Sequence, residues 1–361
     1  INGQLSGNDR KPAFSGQAEW GANQTTTTLA ADLTGARPRI EIELIAKSYK
    51  VEGLRRKPQA KRPAPKIFKR KKVKQLRRLF SEQPLDLTSV GNLDLLLRIQ
   101  ARKISIAGLD LEAVDLDFRQ VEGRLTLDPL SFKYAGGVVG LKFALDTSKP
   151  APDWHVDLKA KRIDLEQVIT EWDKAAQIGG NLNLVLNLKS QGNSVYDIAA
   201  GLSGDAGFAV DQGWVPNGVD LLAADVFDAL LTIPTTRENR KLNCLVARFD
   251  FEKGIGNSRI LSMDTDDFSA LGGGTINLRN ETLDLLINPK QKKRLVLSES
   301  SPVRIFGPLT DLSFSKMPYR EAAKLYGDII IPVIGISDRV LGYLWDAIKP
   351  APGEESPCYV V

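Results

Sequence analysis

The chain has 361 residues, 42% hydrophobic and 26% charged, which places it among folded proteins and excludes a chain that is disordered throughout. Its formal charge of +5 is local: residues 53–81 hold thirteen Lys and Arg and no acid, leaving 36 basic against 44 acidic residues elsewhere, about −8. Two cysteines, Cys244 and Cys358, and one histidine, His155, leave zinc, haem and iron–sulfur chemistry without ligands, and no apolar run is long enough to cross a bilayer as a helix.

The sequence opens at Ile1 with neither an initiating Met nor a signal peptide, and reads as a fragment whose N-terminal portion lies outside this chain. Residues 26–33 are strand-like, residues 35–38 form a turn, and Arg39-Ile40-Glu41-Ile42-Glu43-Leu44 alternates cleanly. The basic run follows, interrupted by Pro58, Pro63 and Pro65. Like charges repel and Pro blocks regular pairing, so its plain reading is a solvated insertion loop. Contact with anionic lipid headgroups is the alternative. Nucleic acid is disfavoured, because only Phe68 and Phe80 interleave the charges and no recognition module flanks them.

From residue 109 the period-two pattern dominates. Leu109 to Arg119 and Arg124 to Asp128 place Leu109, Leu111, Leu116, Phe118, Leu125 and Leu127 on an apolar face. A phase slip at Ala113-Val114 calls for a bulge or turn to keep that face apolar. Residues 141–168 read strand, Pro-containing turn, strand and exit, the order already met in residues 29–54 about 112 residues earlier, which suggests an internal repeat. Residues 181–189 alternate again, with Leu182, Leu184, Leu186 and Leu188 on one side, and residues 283–288 repeat the pattern. The sheet so built is apolar on one face and wet on the other, and the apolar face needs either protein or a hydrophobic ligand to cover it.

Helices punctuate the strands. Asp164 is placed to cap a helix running to about Ala176, Ser194 to cap a short one ahead of Gly201, and residues 220–231 carry helical spacing. The tail reads as a helix over 319–328, an apolar stretch 329–336 too short to span a bilayer, and a helix over 338–348.

Chemistry-bearing constellations are sparse. Asp264, Asp266 and Asp267 beside Gly272-Gly273-Gly274 lack the spacing of a calcium loop and read as a solvated turn. The glycines lack the lysine of a phosphate loop and precede a strand, so a bulge or tight bend explains them better. His155 lies inside an alternating strand with no triad context. The chain is therefore expected not to be an enzyme, with no catalytic residue, no cofactor and no metal.

From about Phe80 onward the sequence resembles the AsmA family of bacterial envelope proteins. The stretches that carry the resemblance are residues 78–85, 201–207, 242–250, 272–278 with 281–285, 301–307 and 353–358; residues 1–53 fit the preceding β-repeat of that family more loosely. The resemblance implies a mainly β chain, an elongated and bent antiparallel sheet forming a β-groove, with a few short helices mostly in the C-terminal third. It implies a β-repeat at 1–53, a basic linker at 54–79, a β-repeat at 80–190 and a C-terminal domain at 191–361. It also implies a periplasmic location, an inner-membrane anchor in a segment outside this chain, and phospholipids as partners, with outer-membrane or envelope proteins as further ones. The expected role is a lipid conduit between the two membranes supporting outer-membrane biogenesis, its wall formed by the ten residues above. The alternative is a non-enzymatic scaffold for outer-membrane protein assembly with a closed core and no lipid. In an oxidising periplasm Cys244 and Cys358 are expected to be bonded.

Overall fold

The computed structural model describes residues 2–21, 23–51, 78–172, 178–215, 240–266, 268–291, 301–318, 320–322 and 324. The chain divides into two compact units that interleave along the sequence: Ile1–Pro63, Glu82–Ala160 and Asn187–Ile198 form the first, and Ala64–Ser81, Lys161–Leu186 and Ala199–Val361 the second. Both are mainly β, as expected.

The first unit contains β1 (Asn2–Gly7), β2 (Pro12–Trp20), β3 (Asn23–Asp32), β4 (Arg39–Val51), β5 (Asp94–Ile106), β6 (Leu109–Val121), β7 (Arg124–Tyr134) and β8 (Gly137–Asp146). Each pairs with the next, antiparallel everywhere except between β4 and β5, which run parallel from Arg39 opposite Asp94 to Val51 opposite Ile106. That departs from an all-antiparallel sheet, and its cause is length: a parallel neighbour needs a connection of about a dozen residues or more, which residues 52–93 supply. The antiparallel joints of β5 to β8 are two-residue turns, Ala107-Gly108, Glu122-Gly123 and Ala135-Gly136, each with both φ values positive. This mirror-image turn matches the twist of the flanking strands and pins their register.

Strands β9 (Asp153–Asp164) and β10 (Gly179–Gln191) contribute residues to both units. The two expected caps are in place. Asp164 Oδ1 accepts from Gln167 N at 3.2 Å ahead of α1 (Leu165–Trp172), and Ser194 Oγ accepts from Asp197 N at 3.0 Å ahead of α2 (Val195–Gly201). The Ser194 hydroxyl in turn donates to Asp197 Oδ2 at 2.7 Å. The end of the first of these helices, the amphipathic stretch 220–231, and residues 329–336 and 338–348 lie outside the described residues; of the predicted helix 319–328, Arg320–Ala322 and Lys324 are helical.

The second unit continues with β11 (Ser203–Val215), β12 (Arg240–Glu252), β13 (Ile255–Thr265), β14 (Phe268–Asn277), β15 (Thr282–Gln291), β16 (Val303–Pro308) and β17 (Ser313–Lys316), each antiparallel to the next. The expected bend at Gly272-Gly273-Gly274 takes a particular form. These residues run straight along β14, and the irregularity sits opposite them on β13, between Asn257 and Ser262. Glycine is required there because a Cβ on Gly274, at φ 146°, would collide with the Asp284 carbonyl, and one on Gly272 with that of Leu286. The acidic patch departs from the solvated turn expected at one residue: Asp264 is buried near the end of β13, accepting from Asn243 Nδ2 at 2.9 Å, because the strand outlasts the sequence pattern and turns the carboxylate toward β12, while Asp266 is exposed in the bend that follows and Asp267 lies outside the described residues.

Gly274→Ala is expected to destabilise the protein by about 1–3 kcal/mol, through strain at a backbone region essentially reserved for glycine. Gly140→Ala, where nothing lies within 4 Å of the added carbon, should be neutral or slightly stabilising. Urea denaturation of the two variants reads the difference.

Candidate functional site

Register in the first unit converts alternation along strands into rows across them. Phe14, Leu29, Ile42, Leu97, Phe118, Leu127 and Phe143 are successive pairing partners on β2 through β8. A second row runs beside it through Leu44, Ile99, Leu116, Leu130 and Leu141. Every member of both rows is half-buried.

The phase slip is not confined to β6. On β4 the apolar positions run 40, 42, 44, 46 and then 49, 51; on β5 they run 95, 97, 99, 101 and then 104, 106, and the pairing stays in register through both. β6 slips at the same level, at Ala113 with φ 50°, and a bulge separates Glu112 from Asp115 against β7, which meets the expectation for Ala113-Val114. A compensating irregularity lies on β7 between Leu127 and Leu130, restoring the row. At the slip Ala46, Ala101 and Val114 meet as a buried cluster with Tyr49, Ile104, Leu111 and Phe132 packed against it.

The ten wall residues predicted from sequence are therefore not one row. Leu116 and Phe118 lie on one side of the slip, Leu109 and Leu111 on the other, opposite Ile106 and Ile104. Leu127 joins the row of Phe118, while Leu125 stands between Gln120 and the buried Leu145. Leu182, Leu184, Leu186 and Leu188 lie on β10 and are half-buried. Leu182 packs against Val210, Val215 and Leu242, and Val185, pointing the other way, packs against Ala209 and Val246. Sequence reasoning missed Phe14, Leu29, Ile42 and Leu97; the alternation of residues 39–44 was the available signal.

The units differ in what they bury. Leu242, Leu286, Val246 and Val303, all at most 1% exposed, belong to the second. In the first the buried apolar side chains are mostly small: Ala46, Ala101, Val114, Ala135 and Ala160, with Val90 and Leu145. A large apolar side chain contributes about 1.5–3 kcal/mol when fully buried, so half-covered rows leave a good part of that unrealised.

The opposite face is tied by charge. Asp117 Oδ1 accepts from Arg119 Nε at 2.9 Å and Asp117 Oδ2 from Arg98 Nη2 at 3.2 Å; Lys103 Nζ stands 2.7 Å from Asp110, and Arg124 Nε 3.1 Å from Asp146. The hydrogen bond from Arg119, then that from Arg98, holds the Asp117 carboxyl down at about 2, and the ammonium of Lys103 lowers that of Asp110. His155 is exposed on β9. Among the described residues no cluster of side chains is arranged to hold a metal, and no helix is long and apolar enough to cross a membrane.

A mainly β chain built by adding strands, with a half-buried apolar face in one unit, is the class this geometry defines. The family model for AsmA matches residues 55–261, more than half of the chain, and the chain belongs to the AsmA family. The AsmA family protein YhjG of Escherichia coli (strain K12) is 24% identical over 214 residues, which cover 58% of this chain and 31% of YhjG. The chain thus spans about a third of the length of that curated relative. No solved structure matches it.

Because the depressed Asp117 carboxyl contributes stability that is complete above its unfolded value near 3.9 and lost as pH falls toward 2, Asp117→Asn should cost about 1 kcal/mol at pH 7. The penalty should shrink below pH 4 and vanish near pH 2, measured as urea midpoints of wild type and variant across that range.

Proposed function

We propose that the apolar face of the first unit holds lipid acyl chains, and that the protein is a non-enzymatic conduit for phospholipids in the bacterial envelope. The observation that carries this reading is the row from Phe14 to Phe143, seven half-covered side chains long. At 4.7–4.9 Å per strand it runs about 29 Å, against about 15 Å for the hydrocarbon of one bilayer leaflet. Each methylene laid on it gains about 0.8 kcal/mol without any directional contact, so a chain can bind and still slide. The charged opposite face stays in water.

In this reading the chain works in the periplasm, joined to the inner membrane by a segment outside it, and moves phospholipid toward the outer membrane during its biogenesis, with outer-membrane or envelope proteins as further partners. The scaffold alternative draws its support from the second unit, where Leu182 and Val185 are covered on both sides of β10.

Organic extraction and mass spectrometry of the purified chain should find co-purifying phospholipid. Leu97→Asp combined with Phe118→Asp should remove most of it while far-UV circular dichroism stays unchanged. Leu184→Asp or Leu186→Asp should weaken lipid crosslinking more than folding if β10 also contributes wall. A lipid-free wild type would overturn the conduit reading in favour of the scaffold.

A periplasmic setting also favours a bond between Cys244, buried on β12, and Cys358, which lies outside the described residues. Closing a loop of that size stabilises by about 4–5 kcal/mol in the chain-entropy model. Intact mass before and after thiol alkylation should find no free thiol in the unreduced protein; two alkylated cysteines would end the pairing.

A further inference from the structure

The aligned slip has a second product: a recess of about 1140 Å³, lined across β1 to β7 by the seam residues Ala46, Ala101 and Val114 and by polar ones that include Glu19, Gln24, Lys47, Gln100, Arg102 and Asp115. Lys47 and Arg102 sit at the slip itself. The parallel register sets Ala46 opposite Ala101 and Ser48 opposite Lys103, which puts the two cations side by side on neighbouring strands. Like charges in that position destabilise a sheet unless something answers them.

Among the described residues nothing does. Arg39, Arg98 and Lys103 on the same two strands each hold a carboxylate, at 2.8, 3.2 and 2.7 Å. Among the described residues Lys47 and Arg102 lie within ion-pair distance of none, and Glu19 and Asp115 in the same recess are held by no cation. Glu112 and Lys133, also in the lining, face one another across β6 and β7. The recess thus presents two central cations on β4 and β5, with an acid on β2 to one side and on β6 to the other.

We propose that this recess binds a compact zwitterion, an aminoalkyl phosphate, with its phosphate on Lys47 and Arg102 and its ammonium on Asp115 or Glu19. Two adjacent cations match the charge of about −1.5 to −2 on a phosphate monoester better than the single charge of a carboxylate, and Arg102 can grip two of its oxygens at once. The flanking acids repel a polyanion and select a ligand that carries its own cation. Gln24 and Gln100 add neutral hydrogen-bonding groups between the charges. No member of the two apolar rows lines the recess, so the site does not depend on their being occupied.

Calorimetric titration of the full chain with O-phosphoethanolamine, inorganic phosphate and ethanolamine tests it. O-phosphoethanolamine should bind at least tenfold tighter than either of the others. Lys47→Gln with Arg102→Gln should weaken it at least tenfold, and Glu19→Gln with Asp115→Asn should reduce it to the affinity of inorganic phosphate; Glu19, Lys47 and Arg102 are exposed and Asp115 is half-buried, and unchanged melting temperatures would establish that both variants fold. Glycerophosphoethanolamine separates the sources: comparable binding of this diester assigns the site to lipid headgroups, and its exclusion assigns the site to free aminoalkyl phosphates. Equal affinity for inorganic phosphate, indifference to Lys47→Gln with Arg102→Gln, or no binding at millimolar ligand overturns the proposal. Co-purified phospholipid should be the same in both variants and wild type, so a failure here leaves the apolar-face reading standing.

Discussion

Strand register is the constraint on which the first unit depends. Side chains alternate faces with period two, so a one-residue error anywhere would turn an apolar row into a polar one for every strand beyond it. The chain manages this with tight turns whose two positive φ values admit one register, and with a slip shared by β4, β5 and β6 rather than suffered by one of them. Pairing between β5 and β6 stays in register through it, and the bulges at its level fall at its margins, β3 against β4 and β6 against β7, with the compensating irregularity of β7 beyond them.

The same device has two products. It gathers Ala46, Ala101 and Val114 into a buried seam that interrupts the tall apolar rows. It also places Lys47 beside Arg102, and a recess lined by both cations and by the seam residues opens there. The second unit follows a different plan: large side chains close over both faces of β11 and β12, and glycines let β14 approach β15 without a Cβ between them. A half-buried apolar face and a closed core thus coexist in one chain, which explains why composition alone argues for neither a ligand carrier nor a plain globule.

Much of the fold was legible because alternation, turn glycines and helix caps are local. Asp164 and Ser194 cap where their residue types and the following pattern said they would, and the slip at Ala113 was visible as two odd-numbered leucines giving way to even-numbered apolar residues. The rows were not legible, since they depend on which residue of one strand faces which of the next. Leu116 and Leu109 look equivalent along β6 and fall on opposite sides of the seam. Asp264 was misjudged for a related reason: an acidic triplet near glycines resembles a loop until pairing with β12 carries the strand past its first member, as far as Thr265. Lys47 and Arg102 lie 55 positions apart, and only a parallel joint makes them neighbours.

That parallel joint has a topological consequence for the basic segment. Val51 ends β4 at the end of the sheet opposite to where Asp94 begins β5, about 40 Å away along the strand axis. An extended chain of about a dozen residues would cover such a gap. Residues 52–93 far exceed that minimum, and Glu281 receives the N–H groups of Leu79 and Phe80 just after the basic run. Closing the sheet accounts for the existence of a bridge between the two strands but not for its length or its cargo of thirteen cations, so composition in that stretch is free to answer to whatever surface the segment meets.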